Sequence, residues 1–146
     1  MKKNKILGDL LKHKIDFQNL QLSVRVSNFD EFKNQFIENG SLNLKFFETL
    51  IKENKIISIS NDKLICGWIN ILKIENINEK LQKLQKESRI LELKVLSSYI
   101  DDIESAIPFL KYYYKKKLEI DNLTMIFSLK LNNLNSSIKD RYLEVN

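Results

Sequence analysis

From Lys5 to about Val26 the apolar residues Ile6, Leu7, Leu10, Leu11, Ile15, Leu20, Leu22 and Val26 recur mainly at steps of three and four, with Asp9, Lys12, Gln18 and Arg25 largely between them. That spacing gathers the apolar set on one side of a helix and predicts an amphipathic one. Asn28 stands where a side-chain oxygen caps a short second helix: Asp30 and Glu31 suit its positive end, and Phe29, Phe32 and Phe36 share a face. Gly40 is expected to end it. A third helix opens at Ser41 or Asn43 and runs to about Glu53 on Leu44, Phe47 and Ile51. Lys55-Ile56-Ile57-Ser58-Ile59-Ser60 alternates and is β-branched, but with no second strand to pair with it reads as a buried connector.

Asn61 or Asp62 is placed to cap a helix through about Lys73, whose middle Gly67 weakens by up to about 1 kcal/mol. A long helix follows from Glu79 to about Ser105, built on Leu81, Leu84, Ile90, Leu91, Leu93, Leu96, Ile100 and Ile103. Pro108 sits at the start of another, where a missing amide costs nothing, and that helix is expected to reach Asn132. Its apolar stripe is Phe109, Tyr113, Ile120, Leu123, Phe127 and Leu131, with Lys116 at the remaining step. Ser136 opens a last short helix ending near Glu144. Three glycines and one proline in 146 residues leave too few turns for a sheet protein of many short strands, so the expected class is all-α.

Composition narrows the possibilities. The length suits one compact domain of about 100–200 residues, and 43% hydrophobic with 29% charged residues is ordinary for a globular chain. The net charge is +5, yet 21 lysines against 3 arginines, 16 asparagines and a single alanine point to an AT-rich coding sequence, so the lysine excess says less about function than its size suggests. One cysteine, Cys66, forms no intramolecular disulfide, and His13 lies at no zinc-ligand spacing from it. No apolar run approaches the roughly 18–20 residues of a membrane helix, and the N-terminus is a poor secretory signal. A reducing, cytoplasmic setting is expected.

The two long helices correspond at an offset of 103: Leu10/Tyr113, Ile15/Leu118, Asp16/Glu119, Phe17/Ile120, Asn19/Asn122, Leu20/Leu123 and Val24/Phe127 are among the pairs. With a three-residue insertion, Phe32 to Glu38 lines up with Ile138 to Glu144. The expectation is one helical domain over 1–146, a curved bundle in which quasi-repeat units at about 6–38 and 109–144 are joined by helices within 43–105. Such a scaffold binds along a surface or in a cavity.

Chemistry is sparse. Asp16 with Asn19, and Glu119 with Asn122, share a helix face; a carboxylate beside a carboxamide ties neighbouring helices or lines a polar cavity but supplies no nucleophile. Asp101, Asp102 and Glu104 lack the turn of a calcium loop and read as a solvated acidic patch. No glycine-rich phosphate loop exists, which excludes a self-contained P-loop nucleotidase. Cys66 reads as a buried inert thiol and His13 as exposed. Tyr112-Tyr113-Tyr114-Lys115-Lys116-Lys117 interleaves rings and cations as nucleic-acid surfaces do, but a helix points consecutive tyrosines about 100° apart, so few face one strand. The helix from Glu79 carries dense Lys and Glu between apolar positions and is suited to pairing with a partner helix.

The run Ile107-Pro108-Phe109-Leu110 through Lys117-Leu118-Glu119-Ile120-Asp121-Asn122-Leu123, followed by Ile126, Lys130-Leu131-Asn132 and Ile138-Lys139-Asp140-Arg141-Tyr142-Leu143, resembles the C-terminal signature of the C subunit of A/V-type ATPases, called subunit d in eukaryotes. Ile15-Asp16-Phe17-Gln18-Asn19-Leu20 with Arg25, then Phe36-Ile37-Glu38-Asn39-Gly40-Ser41-Leu42, is similar to the preceding module of that family, whose loop reads F-I-x-G-G-S-L. Leu91-Glu92 with Tyr99 resembles its intervening helix. Thr124 stands where the family commonly has Arg, Asn133 near an expected Gly, and Asn39 for one loop Gly. Members usually carry three modules and the resemblance covers the last two, which implies a fragment or a shortened paralogue.

The resemblance implies an all-helical, funnel-shaped socket on the cytoplasmic face of a membrane rotor ring, receiving the foot of the central stalk in ATP-driven proton or sodium transport. It implies a peripheral, non-catalytic subunit without cofactor or metal, whose partners are the central-stalk subunits and the ring. The residues it marks for partner contact are Asp16, Asn19, Arg25, Glu119, Asn122 and Lys130, each equally suited to packing within its own module. The competing expectation is a stand-alone helical interaction module binding nucleic acid or a partner helix.

Overall fold

The structure, a computed structural model, describes residues 2–53, 63–99 and 106–133. Among these, six helices occur in the order α1 (Lys2–Arg25), α2 (Phe29–Gln35), α3 (Leu44–Glu53), α4 (Lys63–Leu72), α5 (Ile77–Ser97) and α6 (Ile107–Leu131), and no strand. The fold is all-α. Lys55–Ser60, the caps at Asn61 or Asp62, the acidic residues Asp101, Asp102 and Glu104 and the short helix from Ser136 lie outside the described residues.

Asparagines set three of the helix starts. Asn28 holds an extended backbone while its Oδ1 accepts the Glu31 amide at 2.8 Å, and Glu31 reaches back to the Ser27 amide at 3.2 Å. Asn43 accepts the Phe46 amide at 3.0 Å to open α3, so it and not Ser41 is the cap. Asn76 accepts from Asn78 and Glu79 at 2.9 and 3.1 Å and starts α5 two residues before the expected Glu79. That helix also stops well short of Ser105. Ser97 and Ser98 turn their hydroxyls onto the carbonyls of Leu93 and Val95, both at 2.7 Å, and the backbone tightens into three-residue bonds at Ser98 and Tyr99.

The chain forms two compact units, Met1–Ser88 and Arg89–Asn146, with the boundary inside α5. In the first, α2 and α3 meet through an aromatic cluster: the fully buried rings of Phe32 and Phe47 lie 4.9 Å apart, with Phe36 at 5.7 and 5.8 Å from them and Phe46 at 5.1 Å from Phe47. Outside this cluster Lys52 donates to Glu48 at 2.7 Å and stands 4.9 Å over the Phe29 ring. The same hydrogen bond holds the Glu48 carboxyl below its usual range and the Lys52 ammonium above its own. Helix α4 lays Trp68 on α1, where its ring centroid is 5.2 Å from Phe17 and 6.0 Å from His13. His13 is thus half-buried rather than exposed: its Nδ1 lies 2.7 Å from the Asp9 carbonyl and Trp68 covers its ring. Cys66, on α4, is half-buried as well.

Two apolar stripes depart from expectation. On α1, Leu10, Phe17 and Leu20 are buried but Leu7 and Leu11 are more than half exposed, because the packed face is centred near Leu20 and extends toward Asp16 and Asn19, leaving Leu7 and Leu11 beyond its other edge. On α6 the departure is complete. Ile107, Leu118, Asn122 and Leu129 are buried, whereas the predicted core stripe, Phe109, Tyr113, Ile120, Leu123, Phe127 and Leu131, is 53–83% exposed. At about 100° per residue the two sets lie on opposite sides of the helix, so α6 has two apolar faces and periodicity alone selects the wrong one.

Candidate interaction site

Asp16 and Asn19 both have zero exposure, which for a carboxylate and a carboxamide requires that every strong polar atom find a partner. Each finds its partner in the segment between α2 and α3. Asp16 Oδ2 accepts the Ser41 amide at 3.0 Å and Oδ1 the Leu42 amide at 2.9 Å. Asn19 addresses a single residue with both ends, its Nδ2 donating to the Ile37 carbonyl at 2.8 Å and its Oδ1 accepting the Ile37 amide at 3.0 Å. One turn of α1 thereby fixes a six-residue loop, Ile37–Leu42, at both ends through main-chain atoms alone.

This clamp explains where α2 ends. Gly40 is the terminator expected from the sequence, yet the helix stops at Gln35 and Phe36 is already extended (φ −62°, ψ 130°). The Ile37 amide, needed to continue the helix, belongs to Asn19. Gly40 instead makes room for the clamp, since a Cβ there would collide with Asp16 Oδ1 and come within 3.1 Å of Asp16 Cγ and Ile15 Cγ2. Only glycine lets the backbone pass so close to the carboxylate.

The remaining marked residues divide between surface and interior. Arg25 closes α1 and is exposed, as is Lys130 in the last turn of α6. Glu119 accepts from Lys116 at 2.7 Å, the contact that raises the Lys116 ammonium above its usual range. Asn122 is 3% exposed and accepts at 3.0 Å from Arg89 of α5, whose guanidinium also points at Met125 Sδ at 3.6 Å. Of the two asparagines paired by the sequence repeat, Asn19 binds main-chain atoms and Asn122 accepts from a guanidinium. Arg89 belongs to no motif of the sequence, although an arginine in a chain that otherwise uses lysine suits a place where a planar fork of donors serves better, as it does here.

Two departures from the resembled pattern are accounted for by the backbone. Asn39 and Asn133, which stand where glycine is usual, have φ of 72° and 58° and are the non-glycine residues of positive φ among the described residues. Asparagine is the side-chain-bearing residue that best tolerates the left-handed region. Asn39→Gly is therefore expected to leave stability within about 0.5 kcal/mol or raise it, and Asn39→Val to lower it by about 1–2 kcal/mol, as read by urea unfolding.

The loop presents exposed Ile37, Glu38 and Asn39 at the surface, Ile37 keeping 42% of its area in solvent. No group of three or more His, Cys, Asp or Glu side chains able to hold a metal occurs among the described residues, and none of their helices is long and apolar enough to cross a membrane. A surface loop of fixed path with an apolar residue at its edge is equipped for contact with another macromolecule.

Comparison with known proteins adds identity. Residues 1–141 match the family described as ATP synthase (C/AC39) subunit. A curated relative, "Probable cation-transporting ATPase 1" of Plasmodium falciparum, is 27% identical over 115 residues, which covers 77% of this chain and 6% of that protein. The chain thus spans a small part of the relative's length. No solved structure matches.

Proposed function

Since the chain belongs to the ATP synthase C/AC39 subunit family of A/V-type ATPases, we propose that it is a connector in the central rotor of such a complex, joining the membrane rotor ring to the central stalk. The observation that carries this reading is the family match over residues 1–141. The clamped loop supports it, because a part that transmits torque needs contact surfaces that keep their path under load. In this reading no bond is made or broken by the chain, and it works peripherally, on the cytoplasmic face, during proton or sodium transport.

The six marked residues take two roles in this proposal. Asp16, Asn19 and Asn122 are positioning residues: the first two hold the Ile37–Leu42 loop and the third anchors Arg89. Arg25, Glu119 and Lys130 are proposed to meet the stalk or the ring, together with Ile37.

Calorimetric titration of the whole chain with purified central-stalk subunits, and separately with the rotor ring in detergent, tests the assignment. Saturable binding is expected with at least one of them, weakened tenfold or more by Ile37→Asp, Arg25→Glu or Glu119→Lys. The loop's path depends on Ile37 main-chain atoms, so the first variant is expected to fold normally. Absence of binding to both, or binding indifferent to all three variants, would sink the proposal.

A further inference from the structure

Among the described residues nothing covers the outward face of α6. Phe109, Tyr113, Ile120, Leu123, Phe127 and Leu131 are each more than half exposed and lie within about 80° of arc along the helix. An exposed apolar stripe of this size marks an interaction site. The opposite face, with Ile107, Leu118, Asn122 and Leu129, is already buried, so the stripe is not a helix awaiting its own core.

What covers it is indicated by the repeat and by charge. Ile120 and Leu123 correspond in sequence to Phe17 and Leu20, which are 2% and 0% exposed. In that unit the Phe17 ring is met by Trp68 from a helix, α4. The corresponding positions of α6, at 62% and 54% exposure, offer the same kind of seat with nothing over it among the described residues. Charge then selects among helices. Helix α6 carries five lysines against two acids, and Lys116, Lys117 and Lys130 stand in or beside the stripe with Glu119, which Lys116 already engages. A second copy would bring like charges together along the seam, whereas a helix flanked by carboxylates would neutralise them. A lipid surface is less suited, because Lys116 interrupts the middle of the stripe rather than flanking it.

We propose that α6 is a docking face for an acidic amphipathic helix of another protein. The proposal stands on α6 and not on a place in the rotor, and its test uses different residues and probes.

Two synthetic four-heptad peptides with the same leucine positions are compared by fluorescence anisotropy against the full chain, one with glutamate and one with lysine at the flanking positions. The glutamate peptide is expected to bind saturably and at least tenfold more tightly than the lysine peptide, and Ile120→Gln with Phe127→Gln to abolish that binding while the circular dichroism spectrum is unchanged. Equal binding of both peptides would overturn the proposal, as would binding of neither. Three further results would overturn it by naming a different cover. These are dimerisation of the chain in sedimentation that the two glutamines abolish, tight binding to vesicles containing anionic lipid with no peptide binding, and slow maleimide labelling of Ile120→Cys in a Cys66→Ser background, which would show that the chain covers the face itself.

Discussion

Asp16→Ala is expected to lower the stability of the chain by about 3–5 kcal/mol in urea unfolding, a large share of the roughly 5–15 kcal/mol that a domain has. The carboxylate accepts two amides from the Ser41–Leu42 peptide groups at zero exposure, and alanine leaves both donors without an acceptor. The orphaned Leu42 amide is buried and costs about 1–3 kcal/mol, the part-buried Ser41 amide costs less, and the lost side-chain volume adds to both. Asp16→Asn is expected to cost less, about 2–3 kcal/mol, because one oxygen survives while the new amide NH2 faces a donor. Gly40→Ala tests the same contact from the other side. Its methyl would collide with the carboxylate, and the expected loss is comparable to that of Asp16→Ala. The double variant distinguishes this account from two unrelated defects. With the carboxylate gone the methyl has room, so the losses should fall short of adding by at least about 1 kcal/mol. Additive losses would mean that Gly40 matters for some other reason.

Trp68→Ala should be the second most damaging change, at about 3–5 kcal/mol, because it empties a site in which the indole is 1% exposed and lies against Phe17 and His13. Trp68→Phe should cost far less than the volume difference suggests, about 1 kcal/mol. The indole Nε1 is buried and has no hydrogen-bond partner among the described residues. Phenylalanine removes that unsatisfied donor, worth about 1–3 kcal/mol, while keeping most of the ring packing. Thermal unfolding of the two variants beside the parent measures the contrast. If Trp68→Phe proves as damaging as Trp68→Ala, the indole N–H has a partner after all, and a buried water would be the first candidate.

The helices are legible in the sequence because their local signals agree. Asn28 and the entry at Pro108 announce helix starts through chemistry confined to one turn, and counting residues is enough to place Asp16 with Asn19 on a common face. What cannot be read locally is everything decided by a distant partner. Helix α2 ends at Gln35 because Asn19, 18 residues before Ile37, takes the amide that would continue it. No signal within the segment records that. Likewise Gly40 looks like a helix stop, and its need for close approach to Asp16 is visible only in three dimensions. For α6, two apolar stripes fit the helical period, and the stronger one is the natural choice for the core; periodicity reports that a face is apolar but not which neighbour it meets. Asn122 lies on the weaker stripe, and its partner Arg89 is signalled only by being an arginine among lysines.

The way Asp16 and Asn19 grip their loop has a consequence for how the molecule tolerates change. Every hydrogen bond they make to it ends on a main-chain atom of Ile37, Ser41 or Leu42, and none on a side chain. The contour of the loop is therefore insulated from the side chains carried at Ile37 and Glu38, while Asn39 and Gly40 stay tied to it by backbone conformation and space. Substitutions at exposed Ile37 and Glu38 can alter the chemistry offered to a neighbour while the shape offered stays the same. A lineage can thus exchange one partner for another at this edge without first having to find a new fold.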